Sequence, residues 1–246
     1  MLLIDSGNSA IKCRLIESSE PVDRVFSSRP DSDQKDFCTY LKALPRCDVY
    51  LASVAGADIR QRIIALIQQQ PGLKLTQLFT LAELGGFKNG YHDYRQLGVD
   101  RWLTLLAADA LSEHDAVIVD AGSAITIDLL SKQKGHLGGA ILRGFNTDYE
   151  RFRQIFPAID FSHAEIADSA LPGRSTRQCL QMQQQSLTPV DIGQLIKRWL
   201  YLLHAPVSVI LCGQDAAGIA RALDLPCQQV TDLVFRGMLK QIQLTA

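Results

Sequence analysis

Two stretches of this chain repeat one pattern, and the repeat narrows the folds open to it. LLIDSGNSAIK covers residues 2–12 and VIVDAGSAITID covers 117–128. Each runs from apolar residues into Asp, a small residue, Gly and a small polar residue, then turns apolar and β-branched again. Asp5 recurs as Asp120 and Gly7 as Gly122, at the same offset. An apolar run that ends in Asp-x-Gly and resumes at once reads as strand, tight turn, strand. Two copies imply a chain of two related halves, 1–113 and 114–246, each opened by the same hairpin.

Such a turn has a chemical use. Glycine lets the backbone approach a ligand with no Cβ in the way. Amide N–H groups at the tip, with small side chains such as Asn8, Ser9 and Ser123, form a nest for phosphate oxygens. A carboxylate beside phosphate repels it, so the aspartates imply a cation between the two. Facing copies would clamp the phosphates of a nucleotide. Neither a P-loop nor a G-x-G-x-x-G pattern competes for that role.

The remaining pattern alternates strand and helix. After the first hairpin, Val22–Phe26 reads as a strand, 33–44 as a helix and 47–56 as a buried strand. Residues 58–72 read as a surface helix ended by Pro-Gly, and 73–79 as a strand. Residues 85–98 read as a Gly- and Tyr-rich loop, and 100–114 as a helix with Asp100 as N-cap or first-turn acid. The second hairpin spans 115–131, and a strand closed by glycines follows at 138–145. Residues 146–204 read as mainly helical with an irregular loop at 157–173, and QCLQMQQQ as a solvated helix face. A strand at 207–213, a helix at 214–223, and a short strand and last helix within 228–243 complete the chain. This alternation predicts an α/β architecture.

Composition excludes several classes. The chain has 246 residues, 47% of them apolar, and a net charge of −1. That balance argues against a nucleic-acid partner held by a basic field. No apolar run nears the ~20 residues of a membrane helix, and Asp5 interrupts the first apolar stretch too early for a secretory signal. The six cysteines form no C-x-x-C pair, which predicts reduced thiols in a cytoplasmic protein rather than a zinc site. His92, His114, His136, His163 and His204 find no partner in sequence and read as surface or satisfied polar residues.

Four segments resemble the signatures of type III pantothenate kinases. DSGNSAIK resembles D-x-G-N-T-x-x-K, LGVDRW resembles G-x-D-R-W, DAGSAIT resembles D-x-G-T-A-x-T, and GGAILRG resembles G-G-x-I-x-P-G. Their order and spacing match across essentially the whole chain. The resemblance implies two ribonuclease-H-like domains of the actin-like ATPase class, with mixed sheets flanked by helices and a cleft between them, in a homodimer. It implies ATP-dependent phosphorylation of the primary hydroxyl of pantothenate, the first step toward coenzyme A. The alternatives are another small-molecule kinase of the superfamily, or a regulator that keeps the fold without the activity.

The resemblance also assigns roles. Asp5, Ser6, Gly7, Asn8, Ser9, Ala10, Ile11 and Lys12 would hold the ATP phosphates, with Asp5 near Mg²⁺ and Lys12 as a point charge. Ser123 would contact ATP, and Asp120 would hold a monovalent cation, K⁺ or NH₄⁺. Asp100 would be the general base. Tyr91, Gly98, Val99, Asp100 and Arg101 would line the pantothenate site, with Arg101 on the carboxylate by a bidentate contact or simple charge. Thr176 would contact pantothenate near the dimer interface. Ser9 and Ser123 replace the usual threonines and keep the hydroxyl. Arg143 and Tyr94 stand at positions where proline is usual, and Gln214 where glycine is usual.

Overall fold

A computed structural model describes residues 1–17, 20–28, 35–145, 172–181, 188–223 and 225–245. The chain divides into two compact units, Met1–Phe79 and Thr80–Ala246. The second copy of the hairpin begins near 114, but the unit that contains it starts at Thr80.

In the first unit, β1 (Leu2–Ser6), β2 (Ala10–Leu15) and β3 (Val22–Ser27) are followed by α1 (Lys35–Ala43), β4 (Cys47–Ser53), α2 (Ala57–Gln68) and β5 (Leu73–Gln77). The strands form one sheet in the order β3-β2-β1-β4-β5. β1 pairs antiparallel with β2 and parallel with β4. All of β1 is buried, as an inner strand covered on both faces requires. Leu2 and Ile4 on β1 and Val49 and Leu51 on β4 share a core with Phe37 and Leu41 of α1 and Ile63 and Ile67 of α2. Each such side chain contributes roughly 1.5–3 kcal/mol by leaving water.

The second unit opens with a small hairpin, β6 (Glu83–Leu84) and β7 (Phe87–Lys88), whose second strand falls inside the stretch 85–98 that reads as a loop. A short 3-10 turn at Tyr94–Gln96 and α3 (Val99–Leu111) follow. Then come β8 (Asp115–Ala121), β9 (Ala124–Ser131), β10 (Gly135–Arg143), α4 (Thr176–Gln181), α5 (Pro189–Trp199), β11 (Val207–Cys212), α6 (Ala216–Ala222), β12 (Gln228–Gln229) and α7 (Leu233–Thr245). The sheet order is β10-β9-β8-β11-β12. β8 pairs antiparallel with β9 and parallel with β11, so it holds the place that β1 holds in the first sheet. The internal repeat is therefore a repeat of topology as well as of sequence.

α5 starts where its capping chemistry dictates. The Thr188 hydroxyl accepts from the Asp191 N–H, the Asp191 carboxylate takes the Thr188 N–H, and proline follows the cap. Most of the expected loop at 157–173 and residues 182–185 of the Gln-rich stretch lie outside the described residues. Within the described part of that stretch Gln178 is exposed, but Cys179 and Leu180 are buried. That face of α4 is core rather than solvated.

Asp115 ties the second sheet together. It is 5% exposed. Its Oδ1 accepts from the Lys132 N–H at 2.8 Å and its Oδ2 from the His204 N–H at 2.9 Å. Asp115→Ala strands two backbone donors, so it should cost about 2–4 kcal/mol in chemical denaturation. The loss should appear in stability alone, with the far-UV circular dichroism of the folded protein unchanged.

Candidate active site

The first hairpin builds a small polar tip. Asp5 faces Lys12 and Ser6 faces Ile11 across the β1–β2 ladder. The Gly7 N–H donates to the Ala10 carbonyl at 3.0 Å and closes the turn. Asp5 is 8% exposed. The Lys12 Nζ lies 3.9 Å from Asp5 Oδ2, too far for a hydrogen bond but close enough to balance its charge. Among the described residues a Cβ on Gly7 would meet only the Ala10 carbonyl, at 3.6 Å. The Ser6 and Ser53 hydroxyls, register partners on β1 and β4, are buried and lack a hydrogen-bond partner among the described residues. The amides of the tip and the Lys12 ammonium form a donor set that suits phosphate oxygens, and the Asp5 carboxylate would suit the metal ion they carry.

The second hairpin repeats this with one residue fewer. Asp120 faces Thr126 and Ala121 faces Ile125, and the Gly122 N–H donates to the Ala124 carbonyl at 3.0 Å. Thr126 thus stands where the first copy has Lys12. The β11–α6 turn backs onto this tip: the Asp215 N–H donates to the Ala121 carbonyl at 3.0 Å. Gly213 has φ of +87°, and a Cβ there would lie 2.6 Å from Asp120 Oδ1. Only glycine satisfies both the conformation and the approach. The next residue, Gln214, is exposed, so its side chain takes no space from this contact. Among the described residues no three His, Cys, Asp or Glu side chains gather as a metal cage. The aspartates would act as single ligands to ions that phosphate and water help to hold.

α3 presents Asp100. Gly98 is the N-cap, which puts Asp100 in the first turn rather than at the cap. Val99 and every residue from Arg101 to Ala108 are buried. A helix apolar nearly all round is a buried helix. Asp100 itself is half-buried, and its Oδ1 accepts the Arg101 backbone N–H at 2.7 Å. Burial pushes its carboxyl up to about 6, and the charges of Asp120 and Asp128 push the same way. The N–H and the charge of Arg101 oppose them without winning. The effect links Asp100 to Asp120, two acids chosen from separate motifs.

Arg101 points into the protein. It is 4% exposed. Its Nε and Nη2 donate to the two carboxylate oxygens of Asp128 at 2.8 and 2.6 Å, and its Nη1 donates to the Tyr91 hydroxyl at 2.7 Å. The bidentate face is thus filled by Asp128. The other Nη2 N–H points to Cys179 Sγ at 3.9 Å, which among the described residues leaves one Nη1 N–H for another acceptor. Asp128 is 1% exposed and also takes the His136 Nε2–H at 2.8 Å. Burial alone would raise the Asp128 carboxyl. Arg101 and His136 outweigh burial and hold it below the usual carboxylate range. The Tyr91 hydroxyl lies 3.0 Å from Cys179 Sγ, and Thr176 Oγ1 donates to the Gln96 carbonyl at 2.9 Å. The second unit thus gathers Tyr91, Gly98, Val99, Asp100, Arg101 and Thr176 around the start of α3. Asp5 to Lys12 belong to the first.

Asp128, His136 and Cys179 did not stand out in the sequence. One signal was available for Asp128. It sits between Ile127 and Leu129 in an apolar strand, and a charge buried there needs a partner. Nothing in the sequence names Arg101 as that partner, or His136 as the second.

A duplicated five-stranded mixed sheet that carries Asp-x-Gly hairpins defines the actin-like ATPase class of fold. Solved structures that share it include two with TM-scores of 0.50 or more. One is a Campylobacter jejuni protein described as a Baf family transcriptional activator, with a TM-score of 0.54, 23% identity, and coverage of 99% of this chain and 98% of that one. The other is a Sinorhizobium meliloti protein described as a 2-dehydro-3-deoxygalactonokinase, with a TM-score of 0.50, 13% identity and coverage of 98% of both. At these identities the likeness is one of fold. The family model for type III pantothenate kinase matches residues 1–183. Type III pantothenate kinases of Ectopseudomonas mendocina and Pseudomonas putida are 30% and 31% identical, each match covering 97% of both chains. The chain belongs to the type III pantothenate kinase family, whose reaction is the ATP-dependent phosphorylation of pantothenate in coenzyme A biosynthesis.

The second glycine of GGAILRG follows from the buried pair. A Cβ on Gly139 would lie 2.7 Å from both Arg101 Nη2 and Asp128 Oδ1 and would press on the Ile127 carbonyl. Gly139→Ala should therefore destabilise the fold by on the order of 3 kcal/mol. Thermal unfolding, with turnover per folded molecule measured alongside, checks this.

Proposed function

We propose that this chain phosphorylates pantothenate with Asp100 as the base that takes the acceptor hydroxyl's proton. The observation that carries this reading is the Asp100 carboxyl itself. It sits at the start of a buried helix, in a family-matched segment, held up near 6 by burial and by Asp120. A base poised just below neutral pH is ionised in use and still able to accept a proton. Phosphoryl transfer asks mainly for placement and charge stabilisation. Lys12 and the amides of the first turn supply charge and donors for phosphate oxygens, and Ser123 supplies a hydroxyl from the second. Mg²⁺, with Asp5 as a ligand, neutralises developing phosphate charge when bound. Tyr91, Arg101 and Thr176 bind pantothenate, and the single Nη1 N–H left on Arg101 suits one carboxylate oxygen. Asp120 holds a monovalent cation, and the working form is a cytoplasmic homodimer.

Asp100→Asn tests the base. The variant should lose at least a thousandfold in kcat and still bind pantothenate by calorimetry. A panel of other acceptor alcohols should give no more ADP than water does. The raised carboxyl also sets the pH dependence. In wild type, kcat/KM should fall about tenfold per pH unit below about 6. For stability, the folded state binds the Asp100 proton more tightly than the unfolded chain does. The resulting stabilisation is complete below about pH 4 and is lost as pH rises through 6. Asn carries no such charge, so Asp100→Asn should be more stable than wild type by about 1–3 kcal/mol at pH 7, with no gain at pH 4.

The monovalent ion has its own check. Replacement of K⁺ by Na⁺ should slow turnover severalfold. Asp120→Asn should leave the two salts equivalent.

A further inference from the structure

Asp128 and His136 have no part in the reading above, yet both are buried beside it. They form a closed circuit with Arg101 and Tyr91. Arg101 grips both oxygens of Asp128, and Asp128 Oδ1 takes the His136 Nε2–H. The His136 ring stacks on Tyr91 with centroids 5.7 Å apart, and the Tyr91 hydroxyl accepts from Arg101 Nη1. The members come from α3, β9, β10 and the loop before α3. Such a circuit over-determines the direction of the Arg101 side chain.

We propose that Asp128 and His136 are positioning residues for the kinase reaction, which hold Arg101 so that the first turn of α3 aims Asp100 at the acceptor hydroxyl. The inference rests on the assignment of Asp100 as base. Consecutive residues of a helix project about 100° apart. Once the Arg101 guanidinium is fixed to the sheet, the adjacent Asp100 has one direction left. A slight rotation of the turn would break both Arg101–Asp128 hydrogen bonds and strand a buried charge. His136 acts one step further out. Its Nε2–H restrains the carboxylate oxygen that Arg101 Nη2 uses, just as an outer partner orients a ligand. Its Nδ1 is buried with no hydrogen-bond partner among the described residues, so on these residues Asp128 is its polar anchor.

The separation of kcat from KM tests this. His136→Leu removes the donor to Asp128 and should lower kcat about tenfold, with KM for ATP changed less than twofold. His136→Gln can place an amide N–H near Nε2 and should recover kcat to within about threefold of wild type. Asp128→Asn should lower kcat by a hundredfold or more. Turnover is counted per folded molecule, from active fraction and thermal unfolding. If His136→Leu and Asp128→Asn do not fold, the pair His136→Gln and His136→Asn decides. Asn cannot reach with its amide as Nε2 does, so only Gln should keep kcat. Wild-type kcat in folded His136→Leu, or equal kcat in the Gln and Asn variants, overturns the positioning role and leaves Asp100 as base. Wild-type turnover in Asp100→Asn removes the base, and the positioning role with it.

Discussion

The architecture depends on an inner strand buried on both faces. β1 and β8 each have an antiparallel neighbour on one side and a parallel neighbour on the other. Such a strand can carry polar chemistry only where it leaves the sheet. Its hairpin tip therefore falls at the carboxyl end of the parallel strand beside it, where crossover connections also begin. Asp5 and Asp120 occupy that end in the two units. The fold thus offers two polar tips before any catalytic requirement is imposed on it.

The buried pair of Arg101 and Asp128 is the second constraint, and energetically the more demanding one. Two charges with side chains 5% and 1% exposed gain little net stability from each other, because desolvation offsets most of their attraction. What they supply is geometry, since each alternative arrangement leaves a charge unpaired. Gly139 and the Tyr91–Cys179 contact have one thing in common: both accommodate or complete this pair. The absence of a side chain at Gly139 is a fitted space beside a guanidinium.

Local pattern made much of the molecule legible. The strands around both turns and the helix expected from 100 follow from periodicity within short windows, and the four family segments from their resemblance to known signatures. The unit boundary at Thr80 did not, because residues 80–98 join the second unit through long-range contacts such as Arg174 Nε to the Gly90 carbonyl. Arg101 was legible as a charge beside Asp100, but not as one turned inward. Its partner lies in another strand, and no spacing rule connects the two. His136 was opaque for the same reason. The weakened acidity of Asp100 required knowledge of burial, which sequence alone supplies poorly for a first-turn residue.

The docking of α7 on α3 has a consequence for how the protein is made. Trp102 Nε1 donates to Gln241 Oε1 at 3.1 Å across 139 residues of chain, and Gly237 lies against the backbone of Leu103. On the ribosome the helix that bears Asp100 emerges long before the helix that seats it. The first unit can condense early from its own strands and helices. The nascent second unit must wait, with an apolar helix uncovered, until translation has passed residue 245. Chaperone demand should therefore concentrate in that late window of synthesis.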